Sequence, residues 1–161
     1  MYIEAARGGH AEAQRRLGWA YEKGGLDLVI DLVAALTCFQ NAAKGGNHYA
    51  QRRLGFAHED GDLGVEIDLE VARMWFQEAA VDGDGDAQWR LGAAYELGDL
   101  GLKIDLQLAL MWYRKAAEVG NESAQCRLAQ VYDNGEFDQV TDKKEALKWF
   151  EKAAEGGNDD A

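Results

Sequence analysis

The sequence predicts an all-α fold of tandem helix pairs, and three observations carry this prediction. The chain has 161 residues with no proline and 19 glycines, a composition that favours helices separated by glycine. Within each repeat the apolar residues follow helical periodicity. A repeat of 37 residues places leucines at Leu17, Leu54, Leu91 and Leu128. We therefore expect one domain with a half repeat over 1–9, repeats at about 10–46, 47–83, 84–120 and 121–157, and the start of a further repeat at 158–161.

The first helix of the first repeat is predicted over 11–23 and ends at Gly24. Its apolar face consists of Ala13, Leu17, Ala20 and Tyr21. Three mid-helix glycines, each costing about 1 kcal/mol relative to alanine, predict close contact with an aromatic ring of the second helix. They are Gly18, Gly55 and Gly92. The fourth repeat has Ala129 there, which predicts slightly looser packing.

The second helix is predicted to begin after Asp31, which as N-cap contributes about 1 kcal/mol. It runs to about Lys44, where Gly45 or Gly46 supplies a left-handed residue. Aromatic pairs recur on this helix with alanines at helical spacing, as Trp112-Tyr113 and Trp149-Phe150. This recurrence predicts core positions rather than a ligand-binding box.

The stretch "DGDGD" at 82–86 has the alternating aspartates of a calcium loop. Such a loop beginning at Asp82 requires glycine at its sixth position and glutamate at its twelfth, where the chain has Ala87 and Ala93. In the 37-residue register the stretch aligns with "GGNHYAQ" and "VGNESAQ", the joints between repeats. We therefore interpret it as a joint and expect no metal site.

The stretch "DAQWRLGAAYELGDLGLKIDLQLALMWYRKAAEVG" (86–120) resembles the Sel-one-like repeat (SLR), which is related to the tetratricopeptide repeat. The resemblance extends over four repeats. It implies a right-handed α-solenoid and a protein-interaction adaptor in signalling, host–bacterium contact or protein assembly and quality control. Two positions depart from the pattern: Cys38 replaces a tryptophan and His58 replaces a tyrosine. Some secreted relatives have a disulfide within each repeat, whereas no repeat here has two cysteines.

Charge and hydropathy narrow the class of partner. A net charge of −12 and a pI near 4.6 argue against nucleic acid and anionic membranes as partners. No apolar run of 18 residues occurs, and the first ten residues do not have the pattern of a signal peptide. Cys38 and Cys126 are expected to be free thiols, which favours a cytoplasmic location. Export stays open if the chain is a fragment of a longer protein.

Catalysis has little support in the sequence. His10 and His48 lie in joints, and His58 is expected in a satisfied packing role. No nucleophile elbow, phosphate loop or metal-spaced cluster is present, so we expect neither cofactor nor enzyme activity. Cys126 is expected to face outward, with nothing nearby in sequence to lower its pKa.

The predicted binding surface is the face of each first helix that lies opposite the core, which the resemblance implies is the concave surface. Aromatic and arginine side chains, the types that dominate binding hot spots, lie there at helical spacing. The candidate residues are Arg15, Arg16, Trp19, Tyr49, Arg52, Arg53, Phe56, Trp89, Arg90 and Arg127. A row of guanidinium groups predicts a protein or peptide partner that is acidic or bears carboxylates.

Alternative interpretations stay open at this point. Arg16 and Arg90 have acids four residues earlier, so pairs within one helix explain them equally well. Trp19 and Phe56 also fit the margin of the core. A passive spacer or an oligomerisation element that associates end to end is the second hypothesis. An enzyme acting on a small polymer, such as a cell-wall glycan, is the third.

Overall fold

A computed structural model describes residues 4, 6 and 8–156, and within these residues the chain is helical with no strand. The helices are α1 (Ala11–Lys23), α2 (Leu32–Lys44), α3 (His48–Asp60), α4 (Leu69–Val81), α5 (Gly85–Leu97), α6 (Leu106–Glu118), α7 (Glu122–Asn134) and α8 (Lys143–Gly156). The predicted bounds of the first two helices are confirmed. None of the described helices is both long enough and apolar enough to cross a membrane.

Both ends of the helices are formed as the sequence predicts. Asp31 accepts a hydrogen bond from the Ala34 amide at 2.9 Å and begins α2. Gly24 ends α1 in the left-handed conformation, with φ of 71°. After α2 the left-handed residue is Gly46, with φ of 77°, and not Gly45, whose φ is −82°.

The contacts divide the chain into two compact units, residues 1–84 and 85–161. Unit 1 contains α1 to α4 and unit 2 contains α5 to α8. In each unit a first helix packs against the second helix of its own repeat, and that second helix packs against the first helix of the next repeat, as α2 does with α3 and α6 with α7. Two repeats inside a unit therefore meet at a helix–helix interface.

The mid-helix glycines contact aromatic rings, as predicted. A methyl group on Gly55 would lie 2.7 Å from Cε1 of Phe76, and one on Gly92 would lie 2.7 Å from Cδ1 of Tyr113. Gly18 approaches Phe39 in the same way, at 2.9 Å. Glycine is therefore required because the ring occupies the place of a side chain.

The fourth repeat departs from the core prediction for its aromatic pair. Trp149 is buried, with 7% of its surface exposed, but Phe150 is 41% exposed, whereas Phe39 and Phe76 in its register are fully buried. Phe39 lies in a core cluster with Ala50 and Leu54 of the following first helix, whereas no such helix packs against Phe150 among the described residues. Looser packing was predicted here, and the prediction of Phe150 as a core residue was wrong.

The connection inside each repeat contains a bulky residue in the left-handed region. Leu63 and Leu100 have φ of 54° and 51° and are fully buried, and Phe137 has φ of 55°. Burial offsets the strain of a branched or aromatic side chain at positive φ. Leu26 has the same conformation in the first repeat but is 62% exposed.

Candidate interaction surface

The ten predicted residues lie on the first helices of the repeats. In unit 1, Arg15, Arg16 and Trp19 lie on α1, and Tyr49, Arg52, Arg53 and Phe56 lie on α3; in unit 2, Trp89 and Arg90 lie on α5 and Arg127 lies on α7. Their exposure and partners differ widely.

Arg53 links two repeats of unit 1. Its Nε donates to Oε2 of Glu22 in α1 at 3.1 Å, and its Nη2 donates to Asp62 in the connection after α3. Burial alone would raise the pKa of Glu22, but the hydrogen bonds from Arg53 and Lys23 outweigh it and hold that pKa below its ordinary value. The guanidinium is therefore occupied by two carboxylates of its own chain.

Arg127 makes the equivalent contacts in unit 2. Its Nη2 donates to Oε1 of Glu96 at 2.6 Å and its Nε donates to Oε2 at 3.2 Å. Glu136 accepts from the same Nη2 at 2.7 Å, and the Tyr113 hydroxyl donates to Glu96 at 2.6 Å. Burial favours the neutral form of Glu96, yet the bonds from Arg127 and Tyr113 lower its pKa overall.

Arg90 is buried and donates to Oδ2 of Asp99 at 2.6 Å. The other oxygen of Asp99 accepts from the Leu100 amide at 2.7 Å, and this backbone bond, followed by the Arg90 contact, lowers the pKa of Asp99. Arg90 thus holds the connection that carries the strained Leu100.

Arg15 and Arg16 both bind Glu12 on their own helix. Arg15 donates through Nε at 2.8 Å and Nη2 at 2.6 Å, and Arg16 donates through Nε at 2.8 Å. Hydrogen bonding to Arg15, with a further contribution from Arg16, lowers the pKa of Glu12 from 4.5 to about 2. The intrahelical pair that the sequence left open for Arg16 is present.

The aspartates of "DGDGD" each bond to side chains of their own unit. Asp84 is buried and accepts from Arg52 Nη1 at 3.0 Å, and its Oδ2 lies 3.0 Å from Nδ1 of His48. Asp82 accepts from Gln51 at 3.1 Å, and Asp86 accepts from Asn121 at 2.7 Å. In the described part of the chain, no group of three or more histidine, cysteine or acidic side chains could hold a metal ion.

Two aromatic side chains of the predicted face are exposed, both in unit 1. Trp19 is 40% exposed and meets Phe39 edge-on at 6.1 Å between ring centroids. Tyr49 is 48% exposed, and the guanidinium carbons of Arg15 and Arg52 lie 5.5 and 5.2 Å from its ring centroid. Both therefore offer apolar surface beside cationic groups.

The other two predicted aromatic residues contribute mainly to packing. Phe56 is half-buried and meets Phe76 edge-on at 5.0 Å. Trp89 is half-buried and packs against the hydrophobic core of unit 2. These contacts favour the core-margin interpretation for Phe56 and a packing role for Trp89.

An open depression of about 500 Å³ adjoins Trp19. Its lining consists of Arg16, Trp19, Ala20, Lys23, Gly25 and Leu26. Leu26 was not predicted as a surface residue, because it occupies a register position that is buried in the other repeats.

The histidine and cysteine predictions have mixed outcomes. Cys38 and Cys126 are free, and Cys126 is exposed, as expected. His58 is half-buried, its buried Nδ1 has no hydrogen-bond partner among the described residues, and the expected satisfied packing role stays a prediction. His48 was expected only to occupy a joint, yet it contacts Asp84.

A family model described as "Sel1 repeat" matches residues 11–47, 48–84, 85–121 and 122–158. Together these segments cover the four helix pairs. A search of curated proteins returns no match.

Solved structures show the same fold. A protective antigen present in uropathogenic Escherichia coli strains, displaying an SLR fold, is 36% identical with a TM-score of 0.86, and the match covers 98% of this chain and 33% of that chain. A Sel1 repeat protein from Oxalobacter formigenes is 32% identical with a TM-score of 0.87, over 98% of this chain and 62% of that chain. The chain therefore spans a third of the first relative and less than two thirds of the second.

Proposed function

We propose, from the premise that this chain belongs to the Sel1 repeat family, that it is a protein-interaction module that binds its partner around Trp19 and Tyr49. Sel1 repeat proteins generally serve as protein-interaction scaffolds, and the family is typically non-catalytic. The observation that carries the proposal is the exposure of these two aromatic rings on the first helices of neighbouring repeats.

The binding energy comes mainly from the aromatic groups. Exposed tryptophan and tyrosine bury a large area on binding at a small loss of side-chain freedom. The arginines Arg52, Arg53, Arg90 and Arg127 already bind carboxylates of this chain, and a ligand carboxylate would have to replace those partners. We therefore assign them to positioning the helices.

The partner chemistry follows from the depression beside Trp19. Leu26 and the indole offer apolar surface. Arg16 and Lys23 pair with Glu12 and Glu22, but their side chains are 52% and 66% exposed, so a ligand carboxylate can reach these two cations. A peptide with a large apolar side chain followed by a carboxylate matches both properties. The sequence predicted an acidic partner for the whole row of arginines. We assign the binding of its carboxylate to the region around Arg16 and Lys23.

The test is selection of peptides from a random displayed library on the wild-type protein, with affinity measured for the double variant Trp19→Ala/Tyr49→Ala. We expect selected peptides to lose at least about tenfold in affinity, because each anchor contributes on the order of 1–2 kcal/mol. The matched control is Val119→Ala/Val140→Ala, which removes exposed apolar groups outside the predicted face.

Both double variants must keep the wild-type helicity and melting temperature before their affinities are compared. If the selected peptides bind Trp19→Ala/Tyr49→Ala as tightly as wild type, the assigned surface is wrong. Selected peptides without an acidic residue would refute the role given to Arg16 and Lys23.

A second candidate function is self-association through α8, favoured by the exposure of Leu147 and Phe150 on this helix. Sedimentation of wild type should then show a dimer that forms with rising concentration, and Leu147→Lys/Phe150→Ser should stay monomeric. A wild-type monomer at millimolar concentration would exclude this function.

A further inference from the structure

Residue 38 in the first repeat has a much smaller side chain than the equivalent residues of the other repeats. At 37-residue intervals after Cys38 come Trp75, Trp112 and Trp149. A cysteine therefore stands where the other three repeats each have an indole ring.

The other repeats show what this position holds. Trp149 is buried within the core of unit 2, in the same cluster as Ala117 and Leu128. Trp75 is partly buried and packs against the core of unit 1. The ring thus lies among the second helix of the preceding repeat and the first helix of its own.

In the first repeat two equivalents of the residues in the Trp149 cluster line an open cleft. Ala6 and Leu17 are the equivalents of Ala117 and Leu128, and both line a cleft of about 450 Å³ that also contains Cys38. The remaining lining consists of Gln14, Tyr21, Ala34, Thr37 and Asn41. Cys38 is half-buried at this site, and its thiol is free.

The contacts of Trp149 indicate which property of a ligand the cleft recognises. Trp149 is buried in a cluster with alanine and leucine side chains, and its buried Nε1 has no hydrogen-bond partner among the described residues. Nζ of Lys152 also lies 4.5 Å from its ring centroid, and Asn41 stands in that register position in the first repeat. Apolar packing is therefore the part of this environment that the cleft at Cys38 shares. A cavity of this kind binds planar apolar groups, as cavities made by shortening a core side chain do.

We propose that the cleft at Cys38 binds a tryptophan side chain presented by a partner polypeptide, in the position that Trp75 and Trp149 occupy in the second and fourth repeats. This assignment rests on the protein-interaction function proposed above and adds a second point of attachment, separate from Trp19 and Tyr49. The partner supplies the indole that the first repeat lacks.

The test uses N-acetyl-tryptophanamide as the probe and saturation-transfer NMR on the full chain. Wild type and Cys38→Ala should bind the probe with affinities within about twofold of each other, because the cleft is present in both. Cys38→Trp should lose binding and melt higher by about 2–4 °C, since its own indole fills the cleft. Cys126→Ser serves as the control at the other cysteine and should bind as wild type does.

If the Cys38→Trp protein fails to fold, a second measurement replaces it. In folded Cys126→Ser protein, attachment of a bulky thiol reagent to Cys38 should abolish probe binding. Binding that persists in Cys38→Trp or after labelling, or no binding by wild type at millimolar probe, would overturn the proposal. Binding of free indole without binding of N-acetyl-tryptophanamide would overturn the assignment to a polypeptide.

The variant Trp19→Ala/Tyr49→Ala separates this inference from the proposed function. It should bind the probe as wild type does, because neither residue lines the cleft. Selected peptides that lose affinity for this variant, together with a cleft that binds no probe, would refute the cleft alone.

Discussion

Arg53 in α3 donates from Nε to Oε2 of Glu22 in α1 at 3.1 Å, so a guanidinium of the second repeat binds a buried carboxylate of the first. Arg127 and Glu96 repeat this relationship in unit 2, where Nε donates to Oε2 at 3.2 Å and Nη2 donates to Oε1 at 2.6 Å. Both pairs occupy the same places in the 37-residue register, so they are a repeated contact across the interface between two repeats. This explains why a row of arginines can lie on the predicted binding face without being available for ligands.

Glu22→Gln should destabilise the protein by about 1–3 kcal/mol, because it removes a charge-assisted hydrogen bond and leaves the Arg53 guanidinium with fewer partners. Urea unfolding followed by circular dichroism measures the change. Glu66→Gln, at an exposed acid of the same unit, is the matched control and should stay within about 0.5 kcal/mol of wild type. Equal stability of the two variants would show that the joint does not depend on this pair.

Stability should fall as the pH is lowered from about 5 towards 2. Glu12 has a folded-state pKa of about 2, and the pKa of Glu22 and Glu96 is also lowered, whereas these groups titrate near 4.5 when unfolded. Between these values the unfolded chain binds more protons, so acid favours unfolding. The contribution is fully present above the unfolded pKa and is lost as the pH approaches the folded one.

The free energy of unfolding measured from pH 7 to pH 2.5 tests this dependence. Glu22→Gln should show a shallower fall in stability than wild type, since one of the lowered groups is gone. A wild-type stability that stays constant down to pH 3 would contradict the assigned ion pairs.

Gly55→Ala should destabilise unit 1 by about 1–3 kcal/mol, the range for overpacking a filled core. The new methyl group would lie 2.7 Å from the Phe76 ring, which is fully buried and has no room to move away. This outweighs the gain of about 1 kcal/mol that alanine normally brings in a helix. Gly25→Ala is the control, because its methyl group would meet Ala20 Cα at an ordinary 3.7 Å.

Trp89→Ala and Trp19→Ala should differ in their effect on stability although both residues belong to the predicted face. Trp89 packs against the core of unit 2, so its removal should cost about 2–4 kcal/mol. Trp19 is 40% exposed, and its removal should cost less than about 1 kcal/mol. Thermal unfolding of both variants measures the difference, and an equal cost would refute the assignment of Trp19 to a binding surface.

Alkylation should distinguish the two thiols. Burial raises the pKa of Cys38, whereas Cys126 is exposed, so iodoacetamide at pH 7.5 should modify Cys126 first. Peptide mass spectrometry after brief labelling identifies the site. Faster labelling of Cys38 would mean that the cleft lowers the thiol pKa instead of raising it.

The periodic features of the fold could be predicted from the sequence, since they depend on local chemistry that every repeat copies. Asp31 as N-cap, Gly24 as the end of α1 and the Gly18–Phe39 contact all follow from residue type and register. The position of the arginines on the first helices was equally predictable from helical spacing.

The pair of Arg16 with Glu12 was foreseen as an alternative, but the partners of Arg52, Arg53, Arg90 and Arg127 were missed, because they come from another helix or from a connection. Glu22 and Glu96 share one register position, and Asp62 and Asp99 share another, so the recurrence of acids was a usable signal. Which arginine each acid binds depends on helix packing, which periodicity does not define. The exposure of Phe150 depends in the same way on which helices pack against α8.

The acid and the arginine of this contact are encoded in the same 37-residue segment: in the second repeat Arg53 binds Glu22 of the first, and Glu59 stands in the register position of Glu22. Duplication of such a segment copies both halves of the contact at once. A duplicated repeat therefore contains a carboxylate that can bind the following repeat and a guanidinium that can bind the preceding one. Arrays built in this way can lengthen by inheritance alone, without first evolving a new complementary pair.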